Sequence, residues 1–449
     1  MKKWLAIGLA VLLVLAGCAS GGSNGGGKDS GSGGQGTQNQ GSGGQGSGSD
    51  SKKPVELSLW IFLNPQQTDD PRSVALKNIV DSFNESQDNI RVKVESIHYS
   101  KIDSQVIQAV SAGGGPDILN VYTDMLNLHV DAKTVQPMTK YAEQWIREAG
   151  GDYIYSADQL KLNGEIMSLP WEARVFTVFY RQDLLDEKGL SAPKTLAEWQ
   201  EVAKQTAGDN RLGFAVGLSE GANAASFVET FIPLLRAYGG AMFDADGKAS
   251  FNSEAGVKAI EFIKDMVASG AMNEQAVSMT ADDVTNGLKA GSISTAISGS
   301  MRASAIRGSD IGQHIKTMPV PPAEEGQPSP TMVAGQTLSI GVNTKYPDEA
   351  FEFIKYFLTK ESQIKWAGAG VMPVLSSAYE DPAVKELATY DEMISWKEEA
   401  SKSGQIVFYP EDYAKLSVEL AKAAQQMVFQ NAPVKETLDK VAAQYNQGK

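Results

Sequence analysis

Strand and helix patterns alternate through the first part of the folded chain, and this order limits the fold more than any other feature of the sequence. Apolar or alternating runs typical of strands lie at 55–63, 90–97 and 116–122. Between them, apolar residues recur at helical spacing over 76–83 and 102–110. A strand–helix–strand–helix–strand order is the signature of a parallel sheet with right-handed crossovers.

The same pattern returns later in the chain with different lengths. Thr195-Leu-Ala-Glu198 is a capping box that opens a helix. The Pro-rich run 319–330 is typical of a crossover between two lobes. We therefore predict two α/β lobes with a cleft at the carboxyl ends of the sheet strands. Further strands are predicted within 166–180 and at 211–218 and 337–343, and further helices at 227–238, 255–267 and 348–359.

The first 17 residues predict a secretory signal peptide. Lys2 and Lys3 precede an apolar run, from Trp4 to Ala16, that is too short to span a bilayer as a permanent helix. The string LAGC, which ends at Cys18, resembles the bacterial lipoprotein box, in which the chain is cut before the cysteine and its thiol is acylated. This resemblance implies a palmitate-type anchor that holds the protein at the extracellular face of the bacterial cell membrane. A buried N-terminal core helix is the alternative.

Residues 18–53 predict a lipidated cysteine followed by a flexible tether. Of the 44 glycines, 14 lie within 19–53, mixed with Ser, Gln and Asn and almost nothing apolar. Such a segment cannot bury enough surface to offset its ordering entropy. Two copies of GSGGQG match G-x-G-x-x-G, but neither follows a strand or opens a helix, so they do not predict a nucleotide site.

Charge and the scarcity of metal-ligating residues exclude several functions. From residue 54 onward the chain carries 35 basic and 52 acidic side chains, a formal charge of −17, which argues against nucleic-acid binding. Cys18 is the only cysteine, so no intramolecular disulfide or multi-cysteine metal site is expected. His98, His129 and His314 lie far apart and match no metal-ligand spacing. We expect no metal and no cofactor.

Six further runs occur in a specific order and spacing, at 109–118, 169–185, 192–199, 237–248, 297–301 and 344–361. Together they resemble the family 1 extracellular solute-binding proteins, the sugar-binding group typified by maltose-binding protein. The resemblance implies a class II periplasmic-binding-protein-like α/β fold, in which each lobe is a mixed, mostly parallel sheet flanked by helices. It implies crossing hinge segments between the lobes, a monomer, and delivery of a saccharide to the permease subunits of an ABC importer.

The predicted lobes are discontinuous in sequence. Lobe 1 takes 54–170 and about 331–372, and lobe 2 takes 171–318 and about 376–449. The crossover 319–330 joins them. The ligand is expected in the cleft between them.

A saccharide presents apolar ring faces and hydroxyl groups, so its site combines aromatic with polar side chains. Met301 stands where maltose-binding-protein-like chains carry a stacking tryptophan, which argues against maltose-type specificity. Because strand side chains alternate, Trp171 and Arg174 need not share a face. A packing or surface role is the alternative for each candidate. The resemblance implies these ligand-binding candidates: Trp60, Asn64, Asp124, Trp171, Glu172, Arg174, Asn223, Met301, Arg302, Gln336 and Tyr409.

Two enzyme hypotheses compete with the binding hypothesis. The run 217–221 matches G-x-S-x-G between a predicted strand and helix, so Ser219 with His314, the only downstream histidine, fits an exported serine hydrolase. Asp124 and Glu172 fit the carboxylate pair of a glycosidase, since carboxylates that bind hydroxyls look the same in sequence. We predict a binding protein rather than an enzyme, with the serine hydrolase as the alternative.

Overall fold

The computed structural model of the chain describes residues 53–447 apart from 209, 245, 404–408 and 411, and the side chains of 222 and 403 are not described. The predicted signal peptide, the lipidated Cys18 and nearly all of the tether lie outside the described residues.

Within these ranges the strands form one mixed nine-stranded sheet and a separate two-stranded sheet made of β5 and β6. The strands are β1 Val55–Ile61, β2 Ile90–Ser96, β3 Ile118–Tyr122, β4 Val135–Gln136, β5 Lys161–Leu162, β6 Glu165–Ile166, β7 Leu169–Arg181, β8 Leu212–Phe214, β9 Ile293–Gly299, β10 Ile315–Met318 and β11 Met332–Gly341.

The order along the large sheet is β2-β1-β3-β11-β7-β9-β8, with β10 paired to β7 and β4 paired to β11. Strand β1 runs parallel to β2 and β3, as the strand–helix alternation predicts. Strand β8 runs parallel to β9, a strand that was not among those predicted. Two antiparallel strands, β7 and β11, stand between these parallel groups. The mixed α/β architecture with crossing segments is therefore confirmed.

The two crossing strands are longer than their neighbours. Strand β7 has 13 residues and β11 has 10, and both are buried along nearly their whole length. The sequence suggested separate strands within 166–180, whereas the structure has the single strand β7 from Leu169 onward. Pro170 is tolerated there because it occupies the start of the strand.

Helices cover both groups of parallel strands. They are α1 Pro71–Ser86, α2 Ile102–Ser111, α3 Leu126–Asp131, α4 Thr139–Glu148, α5 Ala157–Leu160, α6 Gln182–Lys188, α7 Leu196–Thr206, α8 Ala225–Ala237, α9 Glu254–Ala268, α10 Ala281–Ala290, α11 Ala303–Arg307, α12 Pro347–Phe357, α13 Lys360–Gly368, α14 Ser376–Tyr379, α15 Pro382–Lys385, α16 Tyr390–Ser403, α17 Tyr413–Phe429 and α18 Val434–Gln447.

Local signals account for several of these helix starts. Asp70 caps α1 by accepting a hydrogen bond from the backbone N–H of Arg72, and Pro71 occupies the first helical position. Thr195 caps α7, as predicted, by accepting from the N–H of Glu198 at 3.2 Å. The return bond of the capping box goes one residue further out, because the Glu198 carboxylate accepts from the N–H of Lys194.

Alternation along β7 divides the core into two clusters. Trp171, Ala173 and Val175 pack in one cluster, whereas Phe176 and Val178 pack in the other. The ring of Trp171 has no exposed surface and lies 4.4 Å, centroid to centroid, from the ring of Trp366. A ring buried in this way stabilises the fold, and its removal costs about 3–5 kcal/mol.

Candidate functional site

A cavity of about 370 Å³ opens where the crossing strands meet the ends of the parallel strands. Its lining comes from the segments that follow β1, β2, β3 and β9, from β7 and β11 themselves, and from α8, α10 and α17. We call this cavity the cleft. Its wall is formed by residues far apart in sequence, from Phe62 to Tyr413.

Five of the residues suggested by the sequence line the cleft together. Asp124 follows β3, Arg174 lies on β7, and Met301 and Arg302 follow β9. Asn223 lies at the exposed rim just before α8, in the left-handed conformation with φ 57°. Asparagine tolerates this conformation better than most residues.

The remaining candidates do not line the cleft. Trp171, Gln336 and Asn120 form a buried hydrogen-bonded network: the Trp171 Nε1–H donates to Asn120 Oδ1 at 2.9 Å, and Asn120 Nδ2 donates to Gln336 Oε1 at 2.7 Å. Trp171 and Gln336 are fully buried, so neither reaches the cleft surface. Glu172 is buried as well, and its Oε1 accepts from Arg174 Nε at 2.6 Å, so it supports a cleft residue instead of lining the cleft.

Three further candidates lie outside the cleft for different reasons. Trp60 is half-buried and packs against the core. Asn64 is exposed, and its Oδ1 accepts from the N–H of Gln66 at 3.0 Å. Tyr409 is buried behind Tyr413, with the two rings stacked at 4.2 Å between centroids.

The aromatic residues that line the cleft lie outside the candidates that the sequence suggested. The Phe62 and Tyr122 rings lie 5.8 Å apart, and the Arg174 guanidinium carbon lies 5.7 Å from the Tyr122 centroid. Tyr99, Phe176 and Tyr413 also belong to the aromatic lining. Phe176 lies two residues from Arg174 on β7, so the alternation of strand side chains is the signal that could have found it.

Two polar groups of the cleft wall, the Tyr413 hydroxyl and the Asp124 carboxylate, can bond to a ligand. The Tyr413 residue is 2 % exposed, and its hydroxyl makes no hydrogen bond to any described residue. No ion pair joins Asp124 to a lysine or arginine in the part of the chain that the structure describes. Burial raises the pKa of Asp124 from 3.8 to about 6, and the nearby Asp103 carboxylate adds to this shift.

The three arginines of the cleft, in contrast, are all paired. Arg72 Nε lies 3.3 Å from Asp70 Oδ1, and Arg302 Nη1 lies 3.1 Å from Glu229 Oε2. Arg174 is paired with Glu172, as described above. Pairing of this kind fixes each guanidinium and lowers its capacity to attract a further anion.

The hydrolase hypothesis lacks the geometry it needs. The Ser219 hydroxyl accepts from the N–H of Gly221 at 3.1 Å, and His314 Nε2 lies 3.2 Å from Gln313 Nε2. A serine hydrolase requires the histidine within hydrogen-bond reach of the serine. The hydrogen bonds of the described residues do not join Ser219 to His314, and neither residue lines the cleft, so the serine hydrolase is not supported.

Known proteins resemble this chain in sequence and in fold. The galactooligosaccharide-binding protein of Bacillus subtilis is 25% identical over 347 residues, covering 74% of this chain and 76% of that protein. The sn-glycerol-3-phosphate-binding periplasmic protein UgpB of Yersinia pestis is 24% identical over 324 residues, covering 68% of this chain and 71% of that protein. The structure of maltose-bound MalE3 of T. maritima superposes with a TM-score of 0.74 at 19% identity, covering 88% of this chain and all of that one.

The structural similarity confirms the two-lobe fold predicted from the sequence. Within the described ranges, no helix combines the length and the apolar character needed to cross a membrane. The family of bacterial extracellular solute-binding proteins matches residues 78–391. This match covers more than half of the chain, so the chain belongs to that family.

Proposed function

We propose that this protein is the saccharide receptor of an ABC importer and that the cleft is its binding site. The observation that carries the proposal is the buried Tyr413 hydroxyl, which has no hydrogen-bond partner among the described residues, on a cleft wall that also holds the Asp124 carboxylate and several aromatic rings. The similarity to the galactooligosaccharide-binding protein of Bacillus subtilis and to the maltose-bound MalE3 of T. maritima supports it.

The chemistry of the two groups favours a hydroxylated ligand. A carboxylate only accepts hydrogen bonds, whereas a tyrosine hydroxyl both donates and accepts. A sugar hydroxyl can accept from Tyr413 and donate to Asp124 at once. Phe62, Tyr122 and Phe176 offer rings on which the apolar face of a sugar packs.

The crossing strands provide the hinge in this proposal. One predicted lobe boundary falls between residues 170 and 171, near the start of β7, and another falls just before β11. Bending near these two points would open and close the cleft. Capture by closure would protect the ligand until the receptor docks on the permease. Binding without turnover is proposed, because Glu172 is buried behind the cleft and so cannot act with Asp124 as a glycosidase pair.

We further propose that the receptor is anchored by its N-terminus. Cleavage after residue 17 and acylation of Cys18 would leave residues 19–53 as a tether to the extracellular membrane face. Labelling with a palmitate analogue should mark the protein and fail to mark the Cys18→Ser variant. Labelling that persists in this variant would contradict the anchor, and size-exclusion chromatography with light scattering tests the proposed monomer.

The binding function is tested by thermal unfolding of the purified protein with a panel of neutral oligosaccharides. A ligand present at 100 times its dissociation constant adds about 2.7 kcal/mol of stability. Asp124→Asn should lose this stabilisation, whereas Asp88→Asn, a change at a fully exposed side chain, should keep it. A panel in which no member stabilises the protein contradicts the proposal, as does release of cleaved sugar.

A further inference from the structure

The cleft contains arginines, which can bind anions, but each of these arginines is already paired with a carboxylate of the protein. Phosphate and carboxylate ligands are recognised by arginine through charge-assisted, often bidentate hydrogen bonds. Arg72, Arg174 and Arg302 all line the cleft, and no lysine is part of its described lining. Whether these three guanidinium groups are already paired with carboxylates therefore decides whether an anionic solute can bind.

Glu229 has the clearest role in this pairing. It lies on α8 and is only 9 % exposed, and its Oε2 accepts from Arg302 Nη1 at 3.1 Å. The same Arg302 nitrogen lies 3.4 Å from Ser298 Oγ. A carboxylate buried to this degree needs a charged partner, so Glu229 holds the Arg302 guanidinium in place.

The other carboxylates of the cleft add negative charge without a matching arginine. Asp103 accepts from the buried His129 Nε2 at 3.0 Å. Asp282 accepts from the Tyr99 hydroxyl at 3.3 Å, and Asp124 has no ion-pair partner among the described residues. The cleft lining thus has five acidic side chains against three arginines. A phosphate entering it would meet repulsion from several close carboxylates.

We propose that the carboxylates of Glu229, Glu172 and Asp70 neutralise the three cleft arginines, so that the cleft rejects phosphorylated and carboxylated solutes and accepts uncharged ones. Glu229 is the main specificity-determining residue. The proposal rests on the proposed saccharide function for its uncharged ligand. By this proposal, the ligand of this protein differs in charge from that of the Yersinia pestis relative that binds sn-glycerol 3-phosphate.

The test measures binding of sn-glycerol 3-phosphate, with inorganic phosphate and glycerol as comparison probes, by calorimetry on the purified protein. The unmodified protein should bind neither phosphate probe better than glycerol. Glu229→Gln keeps the shape of the side chain, removes its charge and frees Arg302. This variant should bind sn-glycerol 3-phosphate at least about tenfold more tightly, the effect of one charge-assisted hydrogen bond. The double variant Glu229→Gln/Arg302→Gln should lose the gain.

A second variant keeps the proposal testable if Glu229→Gln does not fold. Asp70→Asn frees Arg72, which lies on the more exposed side of the cleft, and asparagine caps a helix as well as aspartate does. It should also gain affinity for sn-glycerol 3-phosphate over glycerol. Asp88→Asn changes the net charge equally at an exposed site and should gain nothing.

Three results would overturn the proposal. The first is tighter binding of sn-glycerol 3-phosphate than of glycerol by the unmodified protein. The second is that neither Glu229→Gln nor Asp70→Asn, when folded, gains affinity for sn-glycerol 3-phosphate. The third is an equal gain in affinity in Asp88→Asn. A gain in anion affinity in Glu229→Gln or Asp70→Asn supports the charge proposal even when no saccharide stabilises the unmodified protein. In that case only the proposed saccharide function fails. If the unmodified protein binds a saccharide but neither Glu229→Gln nor Asp70→Asn gains anion affinity, the saccharide function stands and the charge proposal fails.

Discussion

Tyr413 in the cleft lowers the stability of the free protein but can contribute to ligand binding. The buried hydroxyl of Tyr413 has no hydrogen-bond partner among the described residues. A buried polar group without a partner costs about 1–3 kcal/mol. A ligand hydroxyl that bonds to Tyr413 removes this cost, and this bond therefore adds to the affinity for the ligand.

Tyr413→Phe should therefore separate stability from binding. The free protein should be as stable as before or more stable, because the unsatisfied hydroxyl is removed. Saccharide affinity should fall about three- to tenfold through loss of one hydrogen bond. Chemical denaturation and calorimetry measure the two effects, and Tyr346→Phe, at an exposed tyrosine, serves as control. Lower stability with unchanged affinity would contradict the assigned role.

The raised pKa of Asp124 predicts that stability and saccharide affinity change with pH in opposite directions. Because burial raises its folded pKa to about 6 from 3.8, the folded protein holds a proton that the unfolded chain has lost between these values. The contribution of Asp124 to stability should therefore fall as pH rises from about 4 to 6. Saccharide affinity should rise over the same range, because a ligand hydroxyl donates best to the charged carboxylate.

Asp124→Asn should flatten both pH profiles. Calorimetry at pH 5 and pH 7.5 measures the change in affinity, and denaturation over the same range measures the change in stability. An affinity that is independent of pH in the unmodified protein would remove Asp124 from the ligand contacts.

At the scale of elements, the contact between β7 and β11 sets the shape of the cleft floor. The two strands pair antiparallel from Met332 to Leu338, with a register shift between Gln336 and Thr337. Gly335 allows the close approach, since a Cβ at this position would lie 2.2 Å from the Glu172 carbonyl oxygen. Its N–H also donates to Thr123 Oγ1 at 3.2 Å.

Gly335→Ala should thus force the crossing strands apart. We expect a loss of about 1–3 kcal/mol in the free energy of unfolding, the usual cost of overpacking, together with weaker ligand binding. Gly368→Ala is the matched control, because no atom lies within 4 Å of its added Cβ and the residue belongs to α13. Equal stability of both variants in urea denaturation would show that the strand contact tolerates a methyl group.

At the scale of the whole folded unit, residues distant in sequence meet across the cleft. Tyr99, which follows β2, and Asp282, in the first turn of α10, are joined by a hydrogen bond. Both line the cleft, with segments from nearly every part of the described chain. The site therefore exists only when the complete two-lobe fold has formed.

The sequence by itself determined the order of the first three strands and the two helices between them, the parallel direction of these strands, and the family. These features depend on local periodicity and on short runs, which do not require long-range contacts. Arg174 and Met301 lie within the six runs that carry the family resemblance, and Arg302 directly follows one of them. Asp124 and Asn223 lie outside the six runs and were named because the family places ligand contacts at these positions.

The tertiary structure alone decided which side chains reach the cleft. Trp171 and Arg174 lie three residues apart on β7, and the strand turns the tryptophan into the core and the arginine into the cleft. Tyr413 is brought to the cleft by α17, far along the chain, while Tyr409 lies behind it. The pairing of Glu229 with Arg302 spans 73 residues. Side-chain orientation and long-range pairing arise from packing between elements, which no local pattern of residues specifies.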